Sequence, residues 1–123
     1  MEMDLQIKVR KLGDIAVIEL NGEVDAYTCS RLRETIIEAI ENGADNLVVD
    51  MKEVDYIDSS GLGTLVGGLK RVSERQGVIA IVCTNPQIRK VFDIPGLVKV
   101  FPIFSAEEDA IKQLEARGKR SVS

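Results

Sequence analysis

The chemistry of this chain is best sought in Tyr56-Ile57-Asp58-Ser59-Ser60-Gly61-Leu62-Gly63, where an acid and two hydroxyls stand directly before two glycines. Ser59 falls where a helix N-cap is expected, and its hydroxyl can accept a hydrogen bond from a first-turn N–H. One polar residue is enough for a cap, yet three crowd this position. Gly61, Gly63, Gly67 and Gly68 place four glycines within eight positions of one helix, each costing ~1 kcal/mol relative to alanine. Something is therefore expected to approach that backbone closely. At about 100° per residue, Leu62, Leu65, Leu69 and Val72 point inward. Ser60, Thr64, Gly67 and Arg71 share a different face, small and polar apart from the arginine. For Gly67 a face that docks a partner outweighs internal packing; for Gly63 the two readings balance.

A serine in this setting can attack, cap or be modified. Attack is disfavoured by what is missing. The chain has no histidine, the commonest general base and metal ligand. Aspartate is a weak base unless strongly desolvated, and no lysine flanks the serines. There is no GxxxxGK[ST] phosphate loop, and Gly61-Leu62-Gly63 lacks the third glycine of a dinucleotide fingerprint. No catalytic residue, cofactor or metal is assigned, and the chain is not read as an enzyme. Modification fits better. A helix N-terminus attracts anions, but a phosphate brings about −2 charges beside Asp58. Within an interface, that repulsion and desolvation would block binding. Ser59 is thus a physically sensible switch, and Ser60 has the same chemistry.

A second polar stretch, Gly22-Glu23-Val24-Asp25-Ala26-Tyr27-Thr28, follows a strand and precedes a helix. Loops after adjacent parallel strands open at one end of a sheet, so this loop and the Asp58–Ser59 turn are expected to be neighbours. Asp25 and Asp58 would then place negative charge near the Ser59 hydroxyl, while Asp25 or Thr28 caps the first helix.

The elements that must hold these loops can be read from periodicity. Leu5, Ile7 and Val9 alternate with Gln6, Lys8 and Arg10, a half-buried strand. Lys11-Leu12-Gly13-Asp14 turns the chain into a second strand, Ile15–Leu20, which Asn21-Gly22 ends. A helix follows over Arg31–Glu41 on Leu32, Ile36 and Ile40, with Cys29 and Ala39 on the same side and Asn42-Gly43 as its stop. Asn46–Met51 is a nearly continuous apolar strand, of the kind covered on both faces. The glycine-bearing helix spans Gly61–Arg75, on a stripe of Leu62, Leu65, Val66, Leu69 and Val72, and Gly77 ends it. Val78–Cys83 reads as a central strand.

Asn85-Pro86 opens a short helix with Ile88, Val91 and Phe92 on its core side, stopped by Pro95-Gly96. Val98–Phe101 is expected to be a short edge strand ended by Pro102. The Ser105–Glu108 capping-box spacing opens a last helix on Ala110, Ile111 and Leu114, closed by Gly118. The fold class is α/β: one domain over residues 1–118, with a mixed, mostly parallel sheet, an N-terminal antiparallel hairpin and about four α-helices. Residues 119–123 are expected to be a disordered tail.

Composition agrees with one ordinary domain. The 123 residues are 45% hydrophobic and 29% charged, and a chain of this length can bury roughly two-thirds of its unfolded surface. A net charge of −4 argues against a general nucleic-acid binder. Cys29 and Cys83 show no CxxC spacing and read as reduced cysteines of a cytoplasmic protein. No apolar run approaches the ~20 residues of a spanning helix, and no signal peptide is visible.

Three segments together resemble a known family. Asn21-Gly22-Glu23-Val24-Asp25, Val54-Asp55-Tyr56-Ile57-Asp58-Ser59-Ser60-Gly61-Leu62-Gly63 and Phe92-Asp93-Ile94-Pro95-Gly96-Leu97 stand in the order found in anti-sigma factor antagonists, small single-domain members of the STAS family. The resemblance covers nearly the whole chain. It implies a protein that binds an anti-sigma factor with serine kinase activity and so frees a sigma subunit. The kinase would phosphorylate the serine directly after the motif's aspartate, here Ser59, and a PP2C-type phosphatase would reset it. Asp58 and Asp25 are expected to contact or orient around the kinase. Glu23, Ser60, Gly61 and the outer face carrying Thr64, Gly67 and Arg71 would complete the footprint. The family implies a monomer. The alternative is a STAS module that binds a small ligand or nucleotide, or serves a sensory assembly, without kinase control.

Overall fold

A computed structural model describes residues 4–122, with side chains left aside at Val98 and from Gly118 onward. Strand β1 (Leu5–Leu12) turns at Gly13, whose φ is +65°, into β2 (Ile15–Val24), and the two pair antiparallel as the spacing predicts. β2 does not stop at Asn21-Gly22. The register slips there, Gly22 takes φ +127°, and the strand resumes to Val24. A side chain at Gly22 would run into the Asp4 carbonyl, so the glycine makes a bulge that redirects Glu23 and Val24.

Helix α1 (Cys29–Glu41) buries Leu32, Ile36, Ala39 and Ile40, and Gly43 (φ +104°) follows its end. Strand β3 (Asn46–Ile57) is longer than its apolar run suggests and is fully buried from Asn46 to Met51. Helix α2 (Ser59–Ser73) begins two residues earlier than expected. Strand β4 (Ile79–Val82) is wholly buried. The sheet runs β1-β2-β3-β4-β5, and every pair after the first is parallel.

Helix α3 (Pro86–Arg89) is capped by Asn85, whose side chain accepts from the Gln87 N–H, and a 3-10 turn over Lys90–Asp93 continues it. The expected edge strand over 98–101 is instead a helical turn, α4 (Leu97–Val100), closed by the Phe101 N–H donating to the Leu97 carbonyl at 2.9 Å. Gly96 at φ +94° starts that turn. Its cause is Phe101, drawn fully inward against Phe92 with ring centroids 5.8 Å apart and planes at 72°, an edge-to-face pair. The edge strand β5 (Ile103–Phe104) comes after Pro102, not before it.

Helix α5 (Glu107–Val122) starts inside the predicted capping box, two residues after Ser105, with the Ala106 carbonyl accepting from the Ala110 N–H. Its backbone continues beyond Gly118, where a stop and a tail were expected; Ser123 lies outside the described residues.

The sheet separates two cores. On one face α1, α2 and the Ile88–Phe92–Phe101 segment cover Ala16, Ile18, Leu47, Val49, Ile79 and Ile81. On the other, Ala110, Ile111 and Leu114 of α5 cover Ile15, Val17, Val48, Ala80 and Val82. Coverage on both faces is why the central strands read as unbroken apolar runs.

Candidate functional site

The two polar loops meet as the parallel topology requires. Val24 pairs with Ile57 at the ends of β2 and β3, and the Asp58 N–H donates to the Val24 carbonyl at 3.2 Å. Within the first loop, the Asp25 carboxylate accepts from the Tyr27 and Thr28 N–H groups at 2.9 and 3.0 Å. The Thr28 hydroxyl accepts from the Asp25 N–H and donates to the Glu23 carbonyl at 2.8 Å. Glu23 and Asp25 are thereby fixed at the mouth of the site, and Asp25 rather than Thr28 supplies the side-chain acceptor before α1. Tyr27 stands at the loop tip, 92% exposed.

The cap of α2 is Asp58, not Ser59. Asp58 has extended backbone, and its carboxylate accepts from the Ser60 and Gly61 N–H groups at 2.9 and 3.1 Å. The reason is the length of β3: a strand that reaches Ile57 leaves one residue before the helix, and an N-cap must be non-helical. The carboxylate also complements the positive helix end. Ser59 becomes the first helical residue and is exposed, while Ser60 is half-buried. The Ser60 and Gly61 amides, which could have attracted an anion, are thus already occupied.

The rest of the expected footprint divides. A Cβ on Gly61 would lie 2.6 Å from a Val24 methyl and 2.8 Å from the Val24 carbonyl oxygen, so Gly61 is buried packing beneath the site, not surface. Thr64 is also buried, at 6% exposure, its hydroxyl donating to the Ser60 carbonyl at 3.0 Å. It lies toward α1 instead of on an open face, because α1 packs along that side of α2. Gly63 and Gly67 have nothing within 4 Å of a built Cβ, which decides the balanced case of Gly63 for the surface. Gly68 packs, its Cβ position 3.2 Å from Ile36 methyls. Arg71 is exposed.

Gly63, Thr64, Gly67, Gly68 and Arg71, but not Gly61, line a trough of about 620 Å³ between α1 and α2, running from Ser59 and Ser60 to Arg71 and Glu74. Its other wall is Cys29, Arg33 and Ile37 of α1, with Lys70 added on α2. Sequence reasoning missed that wall, although Cys29, Arg33 and Ile37 recur at every fourth position, the spacing of one helix face.

Relatives of the chain share this arrangement of elements. The family model described as "STAS domain" matches residues 6–110. The chain belongs to the STAS domain family. An "Anti-sigma F factor antagonist" from Paenibacillus polymyxa is 32% identical over 92% of this chain and 97% of its own length. An "Anti-sigma-B factor antagonist" from Bacillus subtilis is 31% identical over 89% of this chain and 100% of its own. The solved Bacillus cell fate determinant SpoIIAA in its phosphorylated form is 27% identical, with a TM-score of 0.71 over 88% of this chain and 98% of that one. The STAS fold expected from the three sequence segments is therefore present, and the relatives carry the antagonist name.

A second polar cluster of this STAS domain lies on the α5 face of the sheet. Glu19, Asp50 and Glu107 bring carboxylate oxygens within 4.8 Å of one another. Arg10 bridges Glu107 at 2.7 Å and Glu19 at 3.2 Å, and Lys52 lies 3.9 Å from Asp50. Burial, then the hydrogen bond with Glu107, pushes Asp50 up to about 6. The same bond, with Arg10, holds Glu107 below its ordinary range. A proton taken up by the pair below about pH 6 would therefore reside on Asp50. Among the described residues this is the grouping with the donors of a cation site, but Arg10 and Lys52 already bring two positive charges to it. No helix among the described residues is long and apolar enough to cross a membrane.

Proposed function

We propose that this STAS domain is an anti-sigma factor antagonist switched by phosphorylation of Ser59. It binds an anti-sigma factor that is also a serine kinase, in the cytoplasm and as a monomer, and frees the sigma subunit held there. A PP2C-type phosphatase restores it. The observation that carries the reading is the state of Ser59: exposed, first in α2, at the head of the trough, beside an Asp58 that has taken the helix-end amides. A phosphate added there finds no vacant amide cradle in its own domain. It projects about two negative charges into whatever faces the trough, next to the existing charge of Asp58. The names of the two antagonist relatives support the partner class. The phosphorylated state in which SpoIIAA was solved supports the kind of switch. Glu23 and Asp25 on the neighbouring loop, and Ser60, Gly67 and Arg71 along α2, complete the docking face.

The test is to incubate the purified chain with its anti-sigma kinase and ATP, locate phosphate by mass spectrometry, and follow binding. Phosphate on Ser59 with loss of the complex is expected. Ser59→Ala should bind the kinase and resist release, and Ser59→Asp should bind poorly. Phosphate on Ser60 would move the site by one residue. An unmodified chain, or a Ser59→Asp chain that binds as tightly as the parent, would overturn the reading.

A further inference from the structure

The trough between α1 and α2 combines a positive lining with a low floor. The chain carries a net charge of −4, yet Arg33, Lys70 and Arg71 line the trough against one acid, Glu74. Among the described residues none of these three cations is in an ion pair. The floor is kept low. Gly63 and Gly67 would meet nothing if they carried a Cβ, so no contact within the domain demands glycine there. Alanine would make each position a better helix former. Ile36 and Ile37 add an apolar strip on the α1 side.

We infer that this trough seats an acidic amphipathic helix of the protein partner, with its apolar stripe on Gly63, Gly67 and Ile37 and its carboxylates toward Arg33, Lys70 and Arg71. The inference rests on the docking role proposed above and names the chemistry that docks. Two parallel helix ridges make a groove whose natural complement is a third helix. From Ser59 to Glu74 the groove runs about 22 Å at 1.5 Å per residue, or some four helical turns. A nucleotide fits less well: no aromatic side chain lines the trough, and Asp58 occupies the amides that would hold a phosphate. Three unpaired cations along a groove also predict salt-sensitive binding.

The experiment uses the full chain and two fluorescein-labelled helical peptides of about 16 residues, the length that fills four to five turns. Both carry the same leucine stripe, one with glutamate and the other with lysine at the polar positions. Anisotropy titrations should show the glutamate peptide binding and the lysine peptide binding at least about tenfold more weakly. The double substitution Arg33→Glu with Arg71→Glu should weaken the glutamate peptide by about tenfold or more and improve the lysine peptide. Gly67→Leu should abolish the glutamate complex without lowering the melting temperature. Equal binding of both peptides, or indifference to the double substitution, would overturn the inference, as would displacement by ATP at concentrations that leave Gly67→Leu fully able to bind ATP. The same double variant, mixed with the anti-sigma kinase, separates the two readings. A kinase that binds it unimpaired refutes the trough and spares the antagonist. A trough that takes the acidic peptide in a chain that binds no kinase supports the inference and refutes the antagonist.

Discussion

Along α2, Gly61 and Gly68 face Val24, Ile36 and Ile79 at distances that leave no room for a methyl group to enter freely, whereas Gly63 and Gly67 face open space. The same residue type on one helix thus answers two demands. The inner pair lets α2 settle against β2 and α1. The outer pair serves no packing need in this domain, and its helix-weakening cost must be explained by something outside it. Glycine count alone would have merged these roles; the direction of each missing Cβ separates them.

The strongest break in this comparison is Gly61→Ala. Its methyl would press on both a side chain and a carbonyl of Val24, and overpacking at the upper end of its usual range leaves a cost of ~2 kcal/mol after the gain in helix propensity. A urea titration should show the midpoint fall with an unchanged slope. An undisturbed midpoint would show that β2 and α2 can part at no cost, and the inner pair would lose its distinction.

The opposite face of the sheet offers a control that does not involve α2. Asp50 has a folded pKa of about 6 against an ordinary 3.8, so the folded state holds its proton between those values. That contribution is complete below the ordinary value and is lost as pH rises through 6. Glu107, with its lowered pKa, acts in the opposite sense: its contribution is present above its ordinary 4.5 and is lost as pH falls. Stability should therefore peak near pH 5 and drop by on the order of 1 kcal/mol by pH 7.5. Asp50→Asn keeps an acceptor for the Lys52 N–H and gives Glu107 a permanent donor, so it should flatten that slope. Denaturant curves at several pH values read this directly, and a slope surviving in the variant would mean that the proton resides elsewhere.

A smaller effect belongs to Asp58→Ala, which removes the acceptor of two α2 amides and should cost about 1 kcal/mol. Asp58→Asn should recover most of it, since asparagine also caps well. Smallest is Gly67→Ala, expected to stabilise by up to about 1 kcal/mol with a rise in melting temperature. A fall instead would place Gly67 with the inner pair.

Much of the fold was legible because its causes are local. The hairpin at Gly13, the doubly covered β3 and the proline-opened α3 all follow from periodicity and turn chemistry. So was the meeting of the Asp25 and Asp58 loops, a matter of topology. Errors arose where a distant contact decides. Phe101 turns inward for Phe92, which converts an expected strand into the turn at Leu97. The cap moved from Ser59 to Asp58 because β3 runs further than its apolar run. Glu19, Asp50 and Glu107 meet across three elements, and no spacing along the chain announces such a cluster.

The ends of the sheet have a consequence for the protein's behaviour at high concentration. β1 leaves one side unpaired, and β5 offers only two residues at the other edge. Lys8, Arg10 and Lys11 stand along β1, and positive charge on an edge strand repels a second copy that would add to it. A two-residue edge gives too short a template for strand addition. Neither edge of the sheet therefore offers a second copy a ready template for strand addition.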